Sequence, residues 1–401
     1  MLQTLTVKVR LYPDMKQKMF LDQTMEQYRA ACTWLSQCYF DNNFTDSQRN
    51  LHDKYYKVLR IKFMLKSQMA ESVIKTVLAR YKTVATQLRQ KPYRYQDCNT
   101  KKWYSVSRTL TWLQKPIMFK RPQIDLVATR DWSFANQRKQ LSLNTIKSRI
   151  KLNFDDSQLT KLSSNIKLGT AKLVKLKECY FLHISTTETV PDFVNNHVKH
   201  VVGIDRGLRF LITSYDEQGK TRFVSGKQVL RKRRKFKKLR QQLQSKNTKS
   251  AKRRLKQIGQ RENRWMTDIN HRISKTLVEQ YGNQTLFVME DLTGVRFATE
   301  KVVKTRRYEA VSWSFYQLEQ FLNYKANRIG SKLINVDAHY TSQRDPKTGE
   351  INKNFRNHDK HEFYNPVTGT RSNDDRIGAM NIYELGKRYL DNEPVTFVET
   401  V

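Results

Sequence analysis

Acidic residues stand directly after two apolar segments and at the start of a third segment with helical spacing. Asp205 follows HVVGI, Glu290 follows LFVM, and Asp375 lies at the start of DDRIGAMNI. Functional groups collect at strand ends, where a side chain can reach solvent or a metal ion. Hard divalent cations prefer carboxylate oxygens, and two Mg²⁺ ions about 3.5 to 4 Å apart can clamp the attacking water and the leaving oxygen of a phosphodiester. The three acids therefore predict a site for magnesium-dependent phosphodiester hydrolysis.

Each acid also has an ordinary structural interpretation. Asp205 could cap a helix or end a strand in solvent, and Glu290 could form a surface ion pair. Asp291 and Asp374 lie beside the second and third acids, so either could be the better ligand. Two strand-end acids and one helix acid together form the recurring design of ribonuclease H-like nucleases. Without a bound metal ion, three such acids would repel each other and would also repel a nucleic acid. The joint pattern favours catalysis.

The composition indicates an anionic partner. The chain has 401 residues, with 75 Lys and Arg against 37 Asp and Glu, and its net charge is +38. A membrane-surface protein concentrates its charge in a short amphipathic segment, whereas here the charge extends over most of the chain. Nucleic acid fits better, because each neutralised phosphate releases counterions. The charge alone is equally compatible with a ribosome-like RNA-binding protein that does no chemistry.

The densest positive charge lies between the first two acids, where residues 227–261 contain 16 Lys or Arg and no Asp or Glu. A solvated helix would interleave both signs, because like charges four residues apart destabilise a helix. The segment therefore predicts a nucleic-acid contact. Its apolar seam predicts a helical hairpin packed on a sheet through Phe236, Leu239, Leu243, Leu255 and Ile258. The residues expected to carry the contact are Lys227, Arg231, Lys232, Arg233, Arg234, Lys235, Lys237, Lys238, Arg240, Lys252, Arg253 and Arg254.

Apolar periodicity indicates the elements that must position these side chains. Residues 5–12 alternate apolar and basic residues and end at Pro13, as a strand does. From Asp14, a good N-cap residue, the pattern is helical to about residue 113, and from residue 115 to 189 it returns to short β segments. The simplest interpretation is a small β-barrel with a helical insertion. Apolar strands at 200–204, 286–289 and 332–336 predict a second sheet.

Three segments carry a family resemblance. GIDRGLRFLIT, FVMEDLTGVR and NDDRIGAMNI resemble the three split RuvC motifs of TnpB, the transposon-encoded RNA-guided nuclease, and of the miniature type V CRISPR effectors. LTVKVRLYP is similar to the first barrel strand of that family, and SQMAESVIKTVLARY to its recognition-domain helix. YTSQ, at residues 340–343, matches the segment before its zinc ribbon. The resemblance spans nearly the full length.

The resemblance implies a multidomain α/β fold. It consists of an N-terminal wedge β-barrel with an inserted helical recognition domain, then a ribonuclease H-like RuvC domain with a basic helical hairpin and a degenerate zinc-ribbon insert. The expected boundaries are 1–13 for the first barrel strand, 14–114 for the recognition domain, 115–195 for the rest of the barrel, 196–343 for the RuvC domain with its basic helical insert at 227–280, 344–372 for the target-nucleic-acid-binding ribbon insert, and 373–401 for the C-terminal part of RuvC.

Carried over to this chain, the family's catalytic and Mg²⁺-binding acids fall on Asp205, Glu290 and Asp375. The resemblance implies an endonuclease that binds a guide RNA, reads a short flanking motif in double-stranded target DNA and cuts that DNA with two Mg²⁺ ions. Candidates for reading the motif are Ser67, Gln68 and Lys75, because they lie on the recognition-like helix. The alternatives are a nuclease-inactive RNA-guided DNA-binding repressor and an unguided RNA-binding or junction-resolving protein with the same nuclease fold.

The chain departs from the family at the zinc ribbon. The family usually carries two CxxC pairs between YTSQ and the last acid. The matching positions here hold Asp345, Thr348, Asn365 and Thr368. We expect a ribbon hairpin that has lost its metal and is held by turn residues such as Asp-Pro and Asn-Pro, so no zinc is expected. His358 and His361 are alternative ligands without partner thiolates.

The remaining features concern the cellular compartment in which the protein is expected. The four cysteines, Cys32, Cys38, Cys98 and Cys179, are too few and too scattered for a disulfide framework. No apolar run approaches the roughly 18 residues of a membrane helix, and the N-terminus lacks the apolar region of a signal peptide. These features predict a cytoplasmic protein without a membrane span, and the family resemblance implies a prokaryotic protein associated with the nucleoid. The oligomeric state stays open.

Overall fold

A computed structural model describes residues 1–157, 159, 166–292, 315–357 and 359–397. The chain divides into two compact units. The first comprises Leu2–Thr189, and the second comprises Val190–Val401 together with Met1. The fold is mixed α/β, with an antiparallel sheet in the first unit and a mixed sheet in the second.

The first unit is built on a seven-stranded antiparallel sheet in the order β4-β8-β9-β1-β7-β6-β5. Its strands are β1 (Leu2–Tyr12), β4 (Gln123–Leu126), β5 (Trp132–Ala135), β6 (Gln140–Asn144), β7 (Arg149–Phe154), β8 (Lys167–Leu176) and β9 (Cys179–Thr189). The first strand pairs with β9 and β7, so the two ends of this unit's sequence meet in the sheet. Within the described ranges no ladder joins β4 to β5, so closure into a barrel stays a prediction.

Three helices belong to the described part of this unit: α1 (Met15–Asp41), α2 (Gln48–Lys62) and α3 (Ser67–Arg89). Helices α1 and α3 pack on the sheet, and α2 packs on α3. Asp14 begins α1 as predicted, because its carboxylate accepts from the Gln17 backbone amide while the Gln17 side chain accepts from the Asp14 amide. The apolar faces of two of these helices are buried, as shown by Leu21, Met25, Tyr28, Cys32 and Leu35 in α1 and by Met69, Val73, Val77 and Tyr81 in α3.

The prediction of helix up to about residue 113 is wrong beyond Arg89. Pro92 cannot continue a helix, and the aromatic residues that follow favour extended backbone. The chain instead forms an antiparallel hairpin of β2 (Tyr93–Gln96) and β3 (Trp103–Val106), followed by a short 3₁₀ turn at Leu110–Trp112.

The second unit contains a five-stranded sheet in the order β12-β11-β10-β13-β14. The strands are β10 (His200–Asp205), β11 (Phe210–Asp216), β12 (Thr221–Ser225), β13 (Thr285–Glu290) and β14 (Lys332–Val336). The central strands β10, β13 and β14 run parallel, whereas β11 and β12 are antiparallel to their neighbours. Parallel strands place their carboxyl ends at one edge, so Asp205 and Glu290 share that edge.

Among its described residues, this unit contains five helices: α4 (Lys227–Lys246), α5 (Lys249–Ile258), α6 (Arg261–Tyr281), α7 (Phe315–Arg328) and α8 (Asp374–Leu390). The side chains of Val202, Ile204, Phe287 and Met289 pack in one core with residues of α6 and α7. Their neighbours Val201, Leu286 and Val288 pack with α8 residues such as Ile382. This alternation places β10 and β13 between two layers of helix.

A small antiparallel sheet precedes α8. It contains β15 (Arg356–Asn357), β16 (Glu362–Asn365) and β17 (Thr370–Asn373), in sequential order. Phe355 and Phe363 pack with Ile377 of α8 in a separate apolar core. The small sheet is thereby attached to the first turn of the helix that carries Asp375.

Candidate active site

Register brings the first two acids side by side. Ile204 pairs with Met289 in the parallel ladder of β10 and β13, so Asp205 and Glu290 follow at equivalent positions. Adjacent strands lie about 4.8 Å apart. Because alternate side chains share a face, Asp205 lies on the same face as Gly203, which is the face covered by α8.

Helix α8 approaches β10 more closely than a side chain would permit. A Cβ atom at Gly203 would lie 2.2 Å from the Ala379 carbonyl oxygen and 2.4 Å from the Tyr383 amide nitrogen. One turn towards the helix start, Gly378 lies against Asp205, with an ideal Cβ position 3.4 Å from the carboxyl oxygen Oδ2. Glycine at these two positions therefore allows the start of α8 to reach the carboxylate.

The start of α8 is fixed by a cap. The Asn373 side-chain oxygen accepts from the backbone amides of Asp375, over 3.1 Å, and Arg376, over 3.3 Å. Asp375 is 9% exposed and Asp374 is fully buried. Burial and the adjacent Asp374 charge raise the pKa of Asp375. The third predicted acid thus lies at a helix N-terminus on the same face of the sheet as Asp205.

The three acids interact electrostatically. Burial, the Glu290 charge and the Asp375 charge raise the pKa of Asp205 well above its usual value. Burial also raises the pKa of Glu290. The Thr341 hydroxyl, which donates to Glu290 Oε1 over 2.5 Å, acts in the opposite direction and only partly lowers that pKa. Among the described residues, none of the three acids forms an ion pair with Lys or Arg. Their mutual repulsion is therefore only partly offset within the protein.

Two arginines support this region, and sequence reasoning did not single them out. Arg206 is 7% exposed; its guanidinium pairs with Glu319 at 3.0 Å and donates to the backbone oxygen of Glu290. Arg356 in β15 donates to Asp374 over 2.9 Å and to Ser342 over 2.6 Å. Arg206 directly follows the first acid in sequence, which was a usable signal, whereas the pairing of Arg356 depends on the tertiary fold.

A second set of potential ligands overlaps the third acid. In the part of the chain that the structure describes, the one trio of His, Cys, Asp and Glu side chains whose ligand atoms all lie within 4.8 Å of one another is His361, Asp374 and Asp375. The predicted trio of Asp205, Glu290 and Asp375 shares one sheet edge without reaching that spacing. Asp374 is tied to Arg356 and lies 3.5 Å from His361 Nδ1, so it is the more constrained of the two α8 acids.

Three of the positions at which the resembling family carries zinc-ribbon cysteines, Asp345, Asn365 and Thr368, form a hydrogen-bonded cluster at the small sheet. Asp345 is fully buried, and its carboxylate accepts from Asn365 Nδ2 over 2.7 Å, Thr368 Oγ1 over 2.8 Å and the Lys347 amide over 2.8 Å. Burial alone raises the pKa of Asp345, but these donors outweigh it and the pKa lies below its ordinary value. His361 lies with Asp374 instead, and His358 lies outside the described residues.

The basic segment forms the predicted helix pair. Helix α4 ends at Asn247, which adopts a left-handed conformation, and Thr248 caps α5. The apolar seam is only partly correct, because Leu239 is 37% exposed while Ile258 is buried. Most of the predicted contact residues are exposed, namely Lys227, Arg231, Lys232, Arg234, Lys235, Lys238, Lys252, Arg253 and Arg254, and Lys237 is half-buried.

The prediction that Arg233 contacts nucleic acid is wrong in this structure. Arg233 is 1% exposed, and its Nε lies 3.4 Å from the carboxylate of Glu262, which is also buried. Arg240 approaches the same carboxylate at 2.5 Å and is half-buried. A buried guanidinium cannot reach a phosphate, so Arg233 has a structural role, and the outer basic residues remain as the candidate contact surface.

The candidate motif-reading residues lie in the first unit, on the first three turns of α3. Ser67 and Lys75 are exposed, whereas the Gln68 side-chain oxygen accepts from Arg130 over 3.0 Å. Lys75 also lines a groove with Thr6, Asp125, Lys172 and His183. Within the described part of the chain, none of the helices is long and apolar enough to span a membrane.

Two family models match the second half of the chain. One, described as OrfB_IS605, probable transposase, matches residues 183–294, and the other, described as the Cas12f1-like TNB domain, matches residues 315–382. The first match contains Asp205 and Glu290, and the second contains Asp375. The segments that hold the candidate acids are therefore the segments that the family models describe.

Two curated relatives and two solved structures are similar to the chain. The CRISPR-associated endodeoxyribonuclease Cas12f1 of Sulfoacidibacillus thermotolerans is 36% identical over 90 residues, which are 22% of this chain and 19% of that protein. A TnpB-like protein of Methanocaldococcus jannaschii is 37% identical over 90 residues, 22% of this chain and 32% of that protein. These matches span at most a third of either relative.

Among solved structures, a Cas12f1–sgRNA–target DNA complex has a TM-score of 0.57 at 12% identity, covering 91% of this chain and 81% of that chain. The mini-RNA-guided endonuclease CRISPR-Cas_phi3 has a TM-score of 0.52 at 9% identity, covering 98% and 93%. At these identities the likeness concerns the fold. Over residues 183–294 and 315–382 the chain is therefore similar to TnpB-like proteins and to compact type V CRISPR effectors.

Proposed function

We propose that this chain is an RNA-guided DNA endonuclease, with Asp205, Glu290 and Asp375 as its catalytic acids. The observation that carries the proposal is the convergence of these acids at one end of the parallel strands, inside the two regions that match the family models. Each acid is at least half-buried and has a raised pKa. Acids held together in this way are costly unless a cation or a proton joins them.

The donor set fits Mg²⁺. Three carboxylates supply the hard oxygen ligands that this ion prefers. Nearby arginines such as Arg356 offset the repulsion between the acids only in part, and a divalent cation would relieve the rest. We propose that the three acids hold two Mg²⁺ ions, which when bound would polarise a phosphodiester and activate water. The protein itself supplies orientation: Thr341 holds one Glu290 oxygen, and Arg206 fixes the Glu290 backbone.

The proposed partners are a guide RNA and a double-stranded target DNA. A solved structure of similar fold is a complex of Cas12f1 with an sgRNA and target DNA. The exposed basic residues of α4 and α5 provide a surface whose charge matches nucleic acid. Guide pairing would select the sequence, and the protein would read a short flanking motif. Ser67, Gln68 and Lys75 on α3 are proposed to contribute to that reading.

The domain arrangement extends the same proposal. We assign the seven-stranded sheet to a wedge barrel, α1–α3 to the recognition domain, and residues 344–372 to a ribbon insert that has lost its zinc. The Cys positions of the ribbon hold Asp345, Thr348, Asn365 and Thr368, and Asp345 accepts hydrogen bonds from two of the other three side chains. An oxygen-rich hydrogen-bonded cluster of this kind does not suit Zn²⁺, which prefers thiolate and imidazole ligands in structural sites.

The test is reconstitution. RNA that copurifies with the chain is sequenced, a DNA duplex is made that matches its variable end, and cleavage is measured with and without Mg²⁺. Cleavage that needs both the RNA and the ion supports the proposal. RNA-dependent DNA binding without cleavage would identify a repressor, and cleavage by protein freed of RNA would identify an unguided nuclease; either result overturns the proposal.

A further inference from the structure

The hairpin of β2 and β3 exposes an unusual density of aromatic rings. Tyr93, Tyr95, Trp103, Tyr104 and Trp112 are 51%, 42%, 69%, 42% and 46% exposed. The apolar core cluster of the described residues in this unit includes none of them. A two-stranded hairpin is at best marginally stable alone. Contact with a partner therefore explains these exposed rings better than a role in packing the fold.

The rings are ordered into a row. Tyr95 pairs with Tyr104 and Tyr93 with Val106 across the hairpin, so these side chains share one face. The Tyr93 and Tyr95 centroids are 6.0 Å apart at an interplanar angle of 24°, and Tyr95 and Tyr104 are 5.7 Å apart at 25°. Trp112 extends the row, with its centroid 5.7 Å from Tyr93. Trp103 lies on the opposite face beside Arg94, since it pairs with Gln96.

The charge around the rings is positive. Residues 91–108 contain five Lys or Arg and one acid, Asp97. The Asp97 carboxylate forms hydrogen bonds within the hairpin turn, because it accepts from the Asn99 amide over 2.9 Å and from Thr100 Oγ1 over 3.0 Å. Arg108 lies over the Trp112 ring at 6.0 Å. A row of rings inside positive charge is the combination that binds single-stranded nucleic acid, in which bases stack on rings and phosphates meet the cations.

We propose that this aromatic hairpin, residues 93–112, is a stacking platform for unpaired bases of the bound RNA. The inference rests on the proposed function for the presence of that RNA. A duplex cannot use the platform, because its bases are already stacked and paired. RNA is favoured over DNA because the RNA would stay bound throughout, whereas an unpaired DNA strand would exist only while the target duplex is open. Unpaired RNA bases commonly stack on aromatic side chains.

The experiment measures binding and not cleavage, so it is independent of the proposed chemistry. The full chain, freed of copurified RNA, is titrated with a fluorescent unstructured RNA 12-mer, with DNA of the same sequence and with a blunt RNA duplex. The variants are Tyr95→Ala with Tyr104→Ala, the matched Tyr95→Phe with Tyr104→Phe, and Trp103→Ala. The control is Tyr316→Ala in α7, where the side chain is 73% exposed outside the hairpin.

Loss of stacking is expected to weaken RNA 12-mer binding by about 5- to 150-fold in the Ala pair, while the Phe pair and Tyr316→Ala bind as the unmodified chain does. The slope of log affinity against log salt should stay unchanged, because stacking releases no counterions. Thermal unfolding of each variant checks that the fold is kept. Equal RNA binding by the Ala and Phe pairs would overturn the proposal and indicate a protein partner, and an effect confined to the DNA strand would overturn the choice of RNA.

Discussion

Replacement of Asp345 by Ala is expected to loosen the small sheet that precedes α8, the helix that carries Asp375. The carboxylate is fully buried and accepts from Asn365, Thr368 and the Lys347 amide. Removal leaves these donors without their acceptor. A buried donor that loses its partner costs about 1–3 kcal/mol, and a donor that can turn to water costs less.

Burial of each donor sets the magnitude. Asn365 is fully buried, whereas Thr368 is half-buried and Lys347 is exposed. We therefore expect about 2 kcal/mol from Asn365 and about 1 kcal/mol from the other two together, or about 3 kcal/mol in local stability. Because the pKa of Asp345 is lowered in the folded chain, this contribution is present above the unfolded pKa of about 3.9 and is lost as pH falls through the lower folded pKa.

The assay is hydrogen exchange of the amides in residues 345–373 at neutral pH, with Asp359→Ala as the control. Asp359 is exposed and belongs to the same segment. A loss of about 3 kcal/mol in local stability accelerates hydrogen exchange by roughly 150-fold at those amides that exchange through opening of this segment. Chelators should change nothing. Unaltered exchange in Asp345→Ala, or one zinc per chain whose removal has the same effect as the substitution, would refute the reasoning.

Four further substitutions test other contacts. Gly203→Ala places a Cβ atom 2.2 Å from the Ala379 carbonyl oxygen, so denaturant unfolding should show a loss of at least about 2 kcal/mol. Asp205→Asn removes one of three repelling charges and should raise the unfolding free energy by about 1 kcal/mol without divalent cations; with saturating Mg²⁺ the gain should disappear. Arg233→Ala should lower thermal stability because it leaves buried Glu262 with one partner fewer, whereas Arg231→Ala should lower RNA affinity and leave the melting temperature unchanged.

Local patterns predicted much of the fold. Helical spacing identified the helical region that begins after Asp14, and the period of two identified β1, because these signals come from residues close in sequence. The same holds for Asp205 and Glu290, since each directly follows an apolar strand that the structure places side by side. A carboxylate at a strand end is visible in sequence without knowledge of its neighbours.

The misses come from contacts between distant residues. Arg233 looked like any other residue of the basic segment, and its partner Glu262 lies 29 residues away. The ion pair of Arg356 with Asp374 depends on how the small sheet folds onto α8. The aromatic hairpin was missed because the helical pattern of α3 was extended past Pro92, where the proline and the following tyrosines change the local preference.

The most direct test of the central claim is the single-turnover rate of RNA-dependent DNA cleavage in Mg²⁺ for Asp205→Asn, Glu290→Gln and Asp375→Asn. The control is Asp291→Asn, a neighbouring exposed acid. We predict that each of the three substitutions abolishes cleavage while RNA binding is retained, and that Asp291→Asn cuts at nearly the unmodified rate. Cleavage by Asp205→Asn at the unmodified rate would contradict the assignment of the active site.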